Sequence, residues 1–448
     1  MPTSRFRAAA SDLRMLFAVA AIVLLAACAS GPPSDGIEIA RPEEAAAETP
    51  PGRPSEETSR YDRRGFLEPF HMDAAEPVRV GLLLPFTAPS ETVQRVASAM
   101  FDAAQLAAFE AADRRFLLIP KDTKGNAADA AAAARSALAD GAEILLGPLF
   151  AEEVIAVADV ARAAGAPMIA FSSDLKSGGD GIYLLSFPPE IEIARVTEYA
   201  VLNGLSRFGL IAPATDFGER VTNAFAEEIF VRGGVLVHVE RYEQNPDAML
   251  APAKRLAEYA EQTRPANPKN GAPPPLAPRD PAEETTIGRG FQAVLMPEQG
   301  TLLRALAPLL PYYNVDINQI RLLGISAWNN PRLAREPALR GGWFAAPDPA
   351  ITKNFADRYA AAFGQAPPRL ASLSYDATLL AAKLAQGPRR RERFDLAAIA
   401  DPNGYFGADG LFRFKEDGSV ERGLAILEIQ PGGIQVIDPA PKSFATGY

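Results

Sequence analysis

Imidazole and thiol are nearly absent from this chain of 448 residues, which carries two histidines and one cysteine. His71 and His238 cannot build a multi-histidine metal site, and they leave a Ser-His-Asp triad almost nothing to draw on. Cys28 stands alone and has no partner for an internal disulfide. Positive charge is in deficit, with 45 Lys+Arg against 55 Asp+Glu and a net charge of -10. A nucleic-acid backbone needs a basic face, so nucleic acid is excluded as the main partner. No Gly-x-x-x-x-Gly-Lys-Ser/Thr loop occurs, and no Gly-x-Gly-x-x-Gly follows a strand. Gly178-Gly179-Asp180-Gly181 precedes a strand pattern and reads as a loop. The expectation is a protein that is not an enzyme, with no cofactor and no metal.

What is abundant points to packed domains and exposed linkers. Apolar content of 48% with 22% charged is a globular composition, and the length suits two or three domains of roughly 150 residues. The 40 prolines are nearly twice the usual share of about 5%. Arg5, Arg7 and Arg14 precede the apolar run Met15 to Leu25, which is short for a membrane span but suits a signal-peptide core. The run ends in Leu25-Ala26-Ala27-Cys28, which resembles the lipobox of bacterial lipoproteins. An ordinary secretion signal is the alternative; the basic head, apolar core, residue order and lack of a second Cys weigh against it. The resemblance implies removal of residues 1–27 and lipidation of Cys28. By the sorting rule of such lipoproteins, Ala29 rather than Asp implies the periplasmic face of the outer membrane of a Gram-negative bacterium. Residues 28–77 hold Gly31-Pro32-Pro33 and Thr49-Pro50-Pro51-Gly52 with no apolar period, so they read as a disordered tether. A coil of roughly fifty residues reaches on the order of 40 Å.

A βα alternation follows. Apolar strands are expected at Val78–Pro85, Phe116–Pro120, Ala142–Leu146, Pro167–Phe171 and Ile182–Leu185, separated by helices of 3.6-residue period. The pattern restarts with a helix at Ile191–Asn203 and strands at Phe208–Ala212, Val235–Val239, Phe291–Met296 and Arg321–Gly324. A single helix is expected over Thr301–Tyr312. Continuous apolar strands between amphipathic helices indicate parallel sheets covered on both faces. The expected fold is α/β, with two doubly wound parallel-sheet lobes, a hinge and several crossovers. Its parts are a first lobe at 78–190 and a second at 191–345 that carries a proline-rich insertion at 264–288. Helices at 346–404 then return to the first lobe, and a β hairpin within 405–448 joins the second lobe and the tail.

Several segments give this pattern a family likeness. Gly81-Leu82-Leu83-Leu84-Pro85, Lys121-Asp122-Thr123-Lys124-Gly125-Asn126, Gly141 to Phe150 and Pro167 to Asp174 resemble the type I periplasmic binding proteins of the leucine/isoleucine/valine-binding class. Leu323 to Trp328, Ser374-Tyr375-Asp376-Ala377 and Gly404 to Phe414 resemble the lipoprotein activators of class A penicillin-binding proteins. The helical-repeat N-terminal domain of the best-known activators is missing, and the tether stands in its place.

The resemblance assigns candidate cleft residues, each with a plainer reading. Leu149 and Phe150 lead into the first ligand loop, where Ala151 replaces the serine that relatives offer to a ligand carboxylate. Glu152 beside it would repel such a group, or simply complement the helix dipole. Ser172, Ser173 and Asp174 match the second ligand loop, or else cap a turn. Glu298 matches the glutamate that pairs with a ligand ammonium, or else supplies negative charge to a helix start. Asp216 reads most simply as an N-cap, whereas Phe217 would face the cleft. Trp328 follows a strand end, where an aromatic can stack on a ligand; Trp343 reads as core.

The resemblance implies a lipid-anchored activator of peptidoglycan synthesis that binds a class A penicillin-binding protein, with a small-molecule ligand possible in the interlobe cleft and membrane contact through the lipid anchor only. The alternative is the substrate-binding protein of an ABC importer for branched-chain amino acids or related small ligands. A third reading, an envelope enzyme, has no general acid/base pair to rest on. Substituting Cys28→Ser should move the protein from the membrane to the soluble fraction on cell fractionation; persistent membrane retention would contradict the anchor.

Overall fold

The computed structural model describes residues 76–262, 290–387 and 390–444, all within one unit, Ser59–Tyr448. The expected signal peptide, the lipidation position Cys28, all but the last two residues of the tether, and the insertion 264–288 lie outside the described residues.

The first lobe grows around β1 (Val78–Leu84), which is buried at every position. Its alternate residues Val78, Val80, Leu82 and Leu84 pack with Met100 and Ala104 of α1 (Glu91–Ala111), whereas Leu83 packs with the alanines of α2 (Ala127–Ala139). Both faces are covered, so the strand is apolar but for Arg79, which is buried with the rest. With β2 (Phe116–Asp122), β3 (Ile144–Leu146), β4 (Met168–Ala170) and β5 (Ile182–Leu184) it forms a parallel sheet in the order β2-β1-β3-β4-β5. Helix α3 (Ala151–Ala164) joins α2 on the second face.

The second lobe begins with α4 (Pro189–Leu202) and β6 (Arg207–Pro213), then α5 (Asp216–Val231), β7 (Val235–Tyr242) and α6 (Leu250–Gln262). It continues through β8 (Ala293–Leu295), α7 (Gly300–Leu306), α8 (Leu309–Tyr312), β9 (Arg321–Gly324) and β10 (Trp343–Ala346). The single helix expected over Thr301–Tyr312 is broken, and Pro308 stands at the break as the N-cap of α8. Proline has no N–H to continue the ladder and its ring crowds the preceding turn.

The chain then returns to the first lobe. Helices α9 (Pro349–Phe363) and α10 (Ala371–Ala385) pack on α1 through Phe355, Tyr359 and Tyr375. After the short helices α11 (Arg390–Arg393) and α12 (Leu396–Ile399), three strands pair among themselves: β11 (Tyr405–Gly407), β12 (Gly410–Phe414) and β13 (Val420–Arg422). The expected hairpin on the second lobe comes only later within 405–448; these three strands belong to the first lobe. Phe412, Phe414 and Val420 fill the first lobe's core, next to Tyr183. Only β14 (Ala425–Gln430) and β15 (Gly433–Asp438) cross over, each antiparallel to its neighbour, giving the order β15-β14-β10-β9-β8-β6-β7.

The chain therefore passes between lobes three times, at 185–188, 347–348 and 423–424. Arg422 Nε donates to the Ser186 carbonyl at 2.8 Å and Arg195 Nε to the Leu424 carbonyl at 3.1 Å, so the first and third passages are pinned together.

Trp328 anchors the second lobe. It is fully buried beside Phe344, with its indole N–H donated to the Glu298 carbonyl at 3.1 Å. Gly324 and Gly342 make room for the ring: a Cβ at Gly324 would lie 2.2 Å from it. Replacing Gly324→Ala should cost about 1–3 kcal/mol, the usual range for overpacking a core. Thermal unfolding measures it, and an unchanged midpoint would mean that the ring can retreat.

Candidate functional site: the cleft between the lobes

In parallel α/β sheets ligands bind beyond the carboxyl ends of the strands, and here the two sets of strand ends meet. Arg220 of α5, in the second lobe, donates Nη2 to the Ser173 carbonyl after β4, in the first lobe, at 3.3 Å. Its guanidinium is held by Glu190 of α4, with Nε and Nη2 at 3.0 and 2.8 Å from one carboxylate oxygen. Nothing in the sequence separates Arg220 from other helix-surface arginines; only the meeting of α5 with the β4 loop marks it.

The first lobe's loops are largely satisfied from within. Gly147, at φ 89°, turns the chain after β3 where a Cβ would strike the Leu83 carbonyl at 2.2 Å. Leu149 is half-buried and Phe150 is exposed at the start of α3. Glu152, expected to turn towards a ligand, is exposed; the buried carboxylate is its neighbour Glu153. Glu153 accepts the Phe150 N–H at 3.2 Å, which occupies a backbone donor of this loop. Burial pushes its pKa up, while polar groups of Thr123, Phe150, Leu149 and Gly125 pull the other way. After β4, the buried Ser172 Oγ accepts from the Asp174 N–H at 3.1 Å, and Asp174 accepts from the Lys176 N–H at 3.2 Å. Those two side chains shape the turn, leaving Ser173 exposed beside Arg220.

In the second lobe, α5 is capped by Thr215, whose Oγ1 accepts the Gly218 N–H at 3.3 Å. This corrects the N-cap expected at Asp216, which is exposed in the first helical turn. Phe217 is half-buried against the lobe's core. Two further expectations are also corrected. Glu298 is only 4% exposed, and its carboxylate accepts from Tyr242 Oη at 2.8 Å and from the Gln299 N–H at 3.0 Å. Trp328 packs behind it rather than presenting a face to a ligand. The buried aromatic environment consumes both: a carboxylate held in an apolar wall must be hydrogen-bonded by the protein itself. Burial and the adjacent Glu298 push the Tyr242 hydroxyl's pKa far up, so it donates at all ordinary pH values.

The surfaces left to a ligand are thus Leu149, Phe150 and Ser173 on one side, and Asp216, Phe217 and Arg220 on the other. If Glu298 is structural, Tyr242→Phe should lower stability by about 1–3 kcal/mol, the cost of leaving a buried acceptor unmatched. Denaturant unfolding reads this, and an unchanged midpoint would return Glu298 to the candidates for ligand binding.

Residues 77–259 match the profile of a family described as periplasmic binding protein. No curated protein matches the chain. Among solved structures, a Rhodospirillum rubrum protein named for branched-chain amino acid ABC transport is 18% identical with a TM-score of 0.66, over 81% of this chain and 100% of its own. An ABC transporter substrate-binding protein from Sphaerobacter thermophilus is 18% identical with a TM-score of 0.61, over 82% and 98%. The branched-chain amino acid transporter substrate binding protein from Streptococcus pneumoniae, in complex with isoleucine, is 19% identical with a TM-score of 0.51, over 81% and 100%. With its two lobes of mainly parallel sheet, the chain has the fold of the type I periplasmic binding proteins.

Proposed function

We propose that the chain is a solute-binding protein whose lobes close over a small polar ligand and deliver it to an ABC importer, branched-chain amino acids being one class to test. The observation that carries this reading is the Arg220–Ser173 contact, which brings the strand ends of both lobes to one place and leaves Phe150, Asp216 and Ser173 exposed there. The substrate-binding names of the similar structures support it. In this reading Cys28 is a lipid anchor; the outer-membrane sorting implied by Ala29 favours the second reading below instead.

A second reading, an activator of a class A penicillin-binding protein acting through its surface, is favoured by a different observation. Glu298, expected to meet a ligand ammonium, is buried and engaged within the protein, and Glu153, buried beneath the first ligand loop, occupies the Phe150 N–H. A cleft so satisfied offers an amino acid neither the usual carboxylate donors nor the usual ammonium acceptor.

Calorimetry and thermal shift of the purified chain with leucine, isoleucine, valine and a panel of small polar solutes separates the two. Ligand at a hundred times its Kd should add about 2.7 kcal/mol of stability. Arg220→Ala should weaken that binding at least tenfold. Failure of every solute, together with saturable binding of a class A penicillin-binding protein and stimulation of its cross-linking, would overturn the first reading in favour of the second.

A further inference from the structure

The bond from Arg220 to the Ser173 carbonyl joins two groups that are each held in place by their own lobe. On the first-lobe side, both neighbours of Ser173 are pinned. Ser172 Oγ accepts the Asp174 N–H at 3.1 Å, and the Asp174 carbonyl accepts the Ser177 hydroxyl at 2.7 Å. The turn is fixed by these bonds, and the Ser173 carbonyl is turned to the second lobe, where Arg220 Nη2 donates to it at 3.3 Å. On the second-lobe side, one Glu190 oxygen takes Arg220 Nε and Nη2 at 3.0 and 2.8 Å. The other Glu190 oxygen is buried without a hydrogen-bond partner, so Arg220 is the group that matches this carboxylate. Glu190 stands in the first turn of α4, directly after Pro188 and Pro189 at the end of the first passage between the lobes. Proline fixes φ near −65°, so Glu190 has little freedom relative to that passage. A planar guanidinium can serve a carboxylate and a carbonyl at once, and Arg220 Nη2 meets both.

We propose that Arg220 is a latch between the lobes: it holds them together across the cleft through the Ser173 carbonyl, with Glu190 fixing its reach, and it does so without a solute. Both ends of the latch belong to the protein and the acceptor is main chain, so nothing else is needed to complete it. A solute entering the cleft has to displace this bond or take its place, which makes Arg220 a control on access as well as a wall of the site. For that consequence the latch rests on the solute-binding reading; the bond itself is a property of the free protein.

The test is the lobe separation measured with no solute added. In a Cys28→Ser background, which removes the one native thiol, dyes on Ala128→Cys of α2 and Glu227→Cys of α5, both exposed positions, report the separation by single-molecule energy transfer. The parent should show mainly a high-transfer population. A hydrogen bond from a charged donor, weakened here by partial exposure, is worth about tenfold in an equilibrium, so Arg220→Ala should shift the balance about tenfold towards low transfer. Glu190→Ala should shift it in the same direction and by less, because the guanidinium loses its anchor and keeps its acceptor. Ser173→Ala leaves the carbonyl in place and should match the parent. An unaltered circular dichroism spectrum in each variant is the check on folding. Parent-like transfer in Arg220→Ala or Glu190→Ala, or release of the lobes by Ser173→Ala, would overturn the proposal. Solute binding is read separately by calorimetry, so failure of the latch and failure of the solute-binding reading are told apart.

Discussion

The hydrogen bond from Arg422 to the Ser186 carbonyl fixes where the lobes pivot, because it joins two of the three strands of chain that connect them. A backbone carbonyl in a passage between lobes has no ladder partner, and buried there it must find a donor or lose stability. A buried guanidinium in turn needs negative charge to favour it, and the charges of Asp409, Asp376 and Glu192 act in that sense on Arg422, against the burial that lowers its pKa. Phe187 completes the set by offering its ring to both Arg422 and Arg369, a favourable arrangement for cations removed from water. The polar hinge follows from one requirement: three crossing segments cannot be covered by sheet or helix.

Much of the fold was legible in the sequence because its strands are buried on both faces. Such strands read as apolar runs, and β3 and β8, apolar and buried at every position, are the plainest cases. The assignment of β11–β13 was not legible, since a short alternating hairpin looks the same whichever core it covers; only the contacts of Phe412 and Val420 decide. The break between α7 and α8 was visible in Pro308 but was outweighed by the apolar spacing on either side.

The site was less legible than the fold. Glu298 and Trp328 both follow strand ends, yet a strand end specifies only where a side chain starts and not which way it turns. Tyr242, which turns Glu298 inward, lies 56 residues away in sequence. Arg220 is the opposite case, a residue without a local signal that becomes central once α5 and the β4 loop are adjacent. At Glu152 and Glu153 the sequence offered two neighbouring carboxylates, and helical geometry sent one outward and the other beneath the loop.

The interleaving of the lobes also constrains how the chain is made. The first lobe draws on β1 at one end and β13 at the other, and the sheet of the second is not finished until β14 and β15 have been added. A chain emerging N-terminus first, from a ribosome or through a pore, therefore holds two unfinished cores until almost its last residue has appeared. Apolar strands such as β1 and β6 stay without their full cover for the whole of that interval. Long exposure of this kind favours aggregation, so a protein with this topology depends on holding factors during synthesis more than one whose domains are completed in sequence.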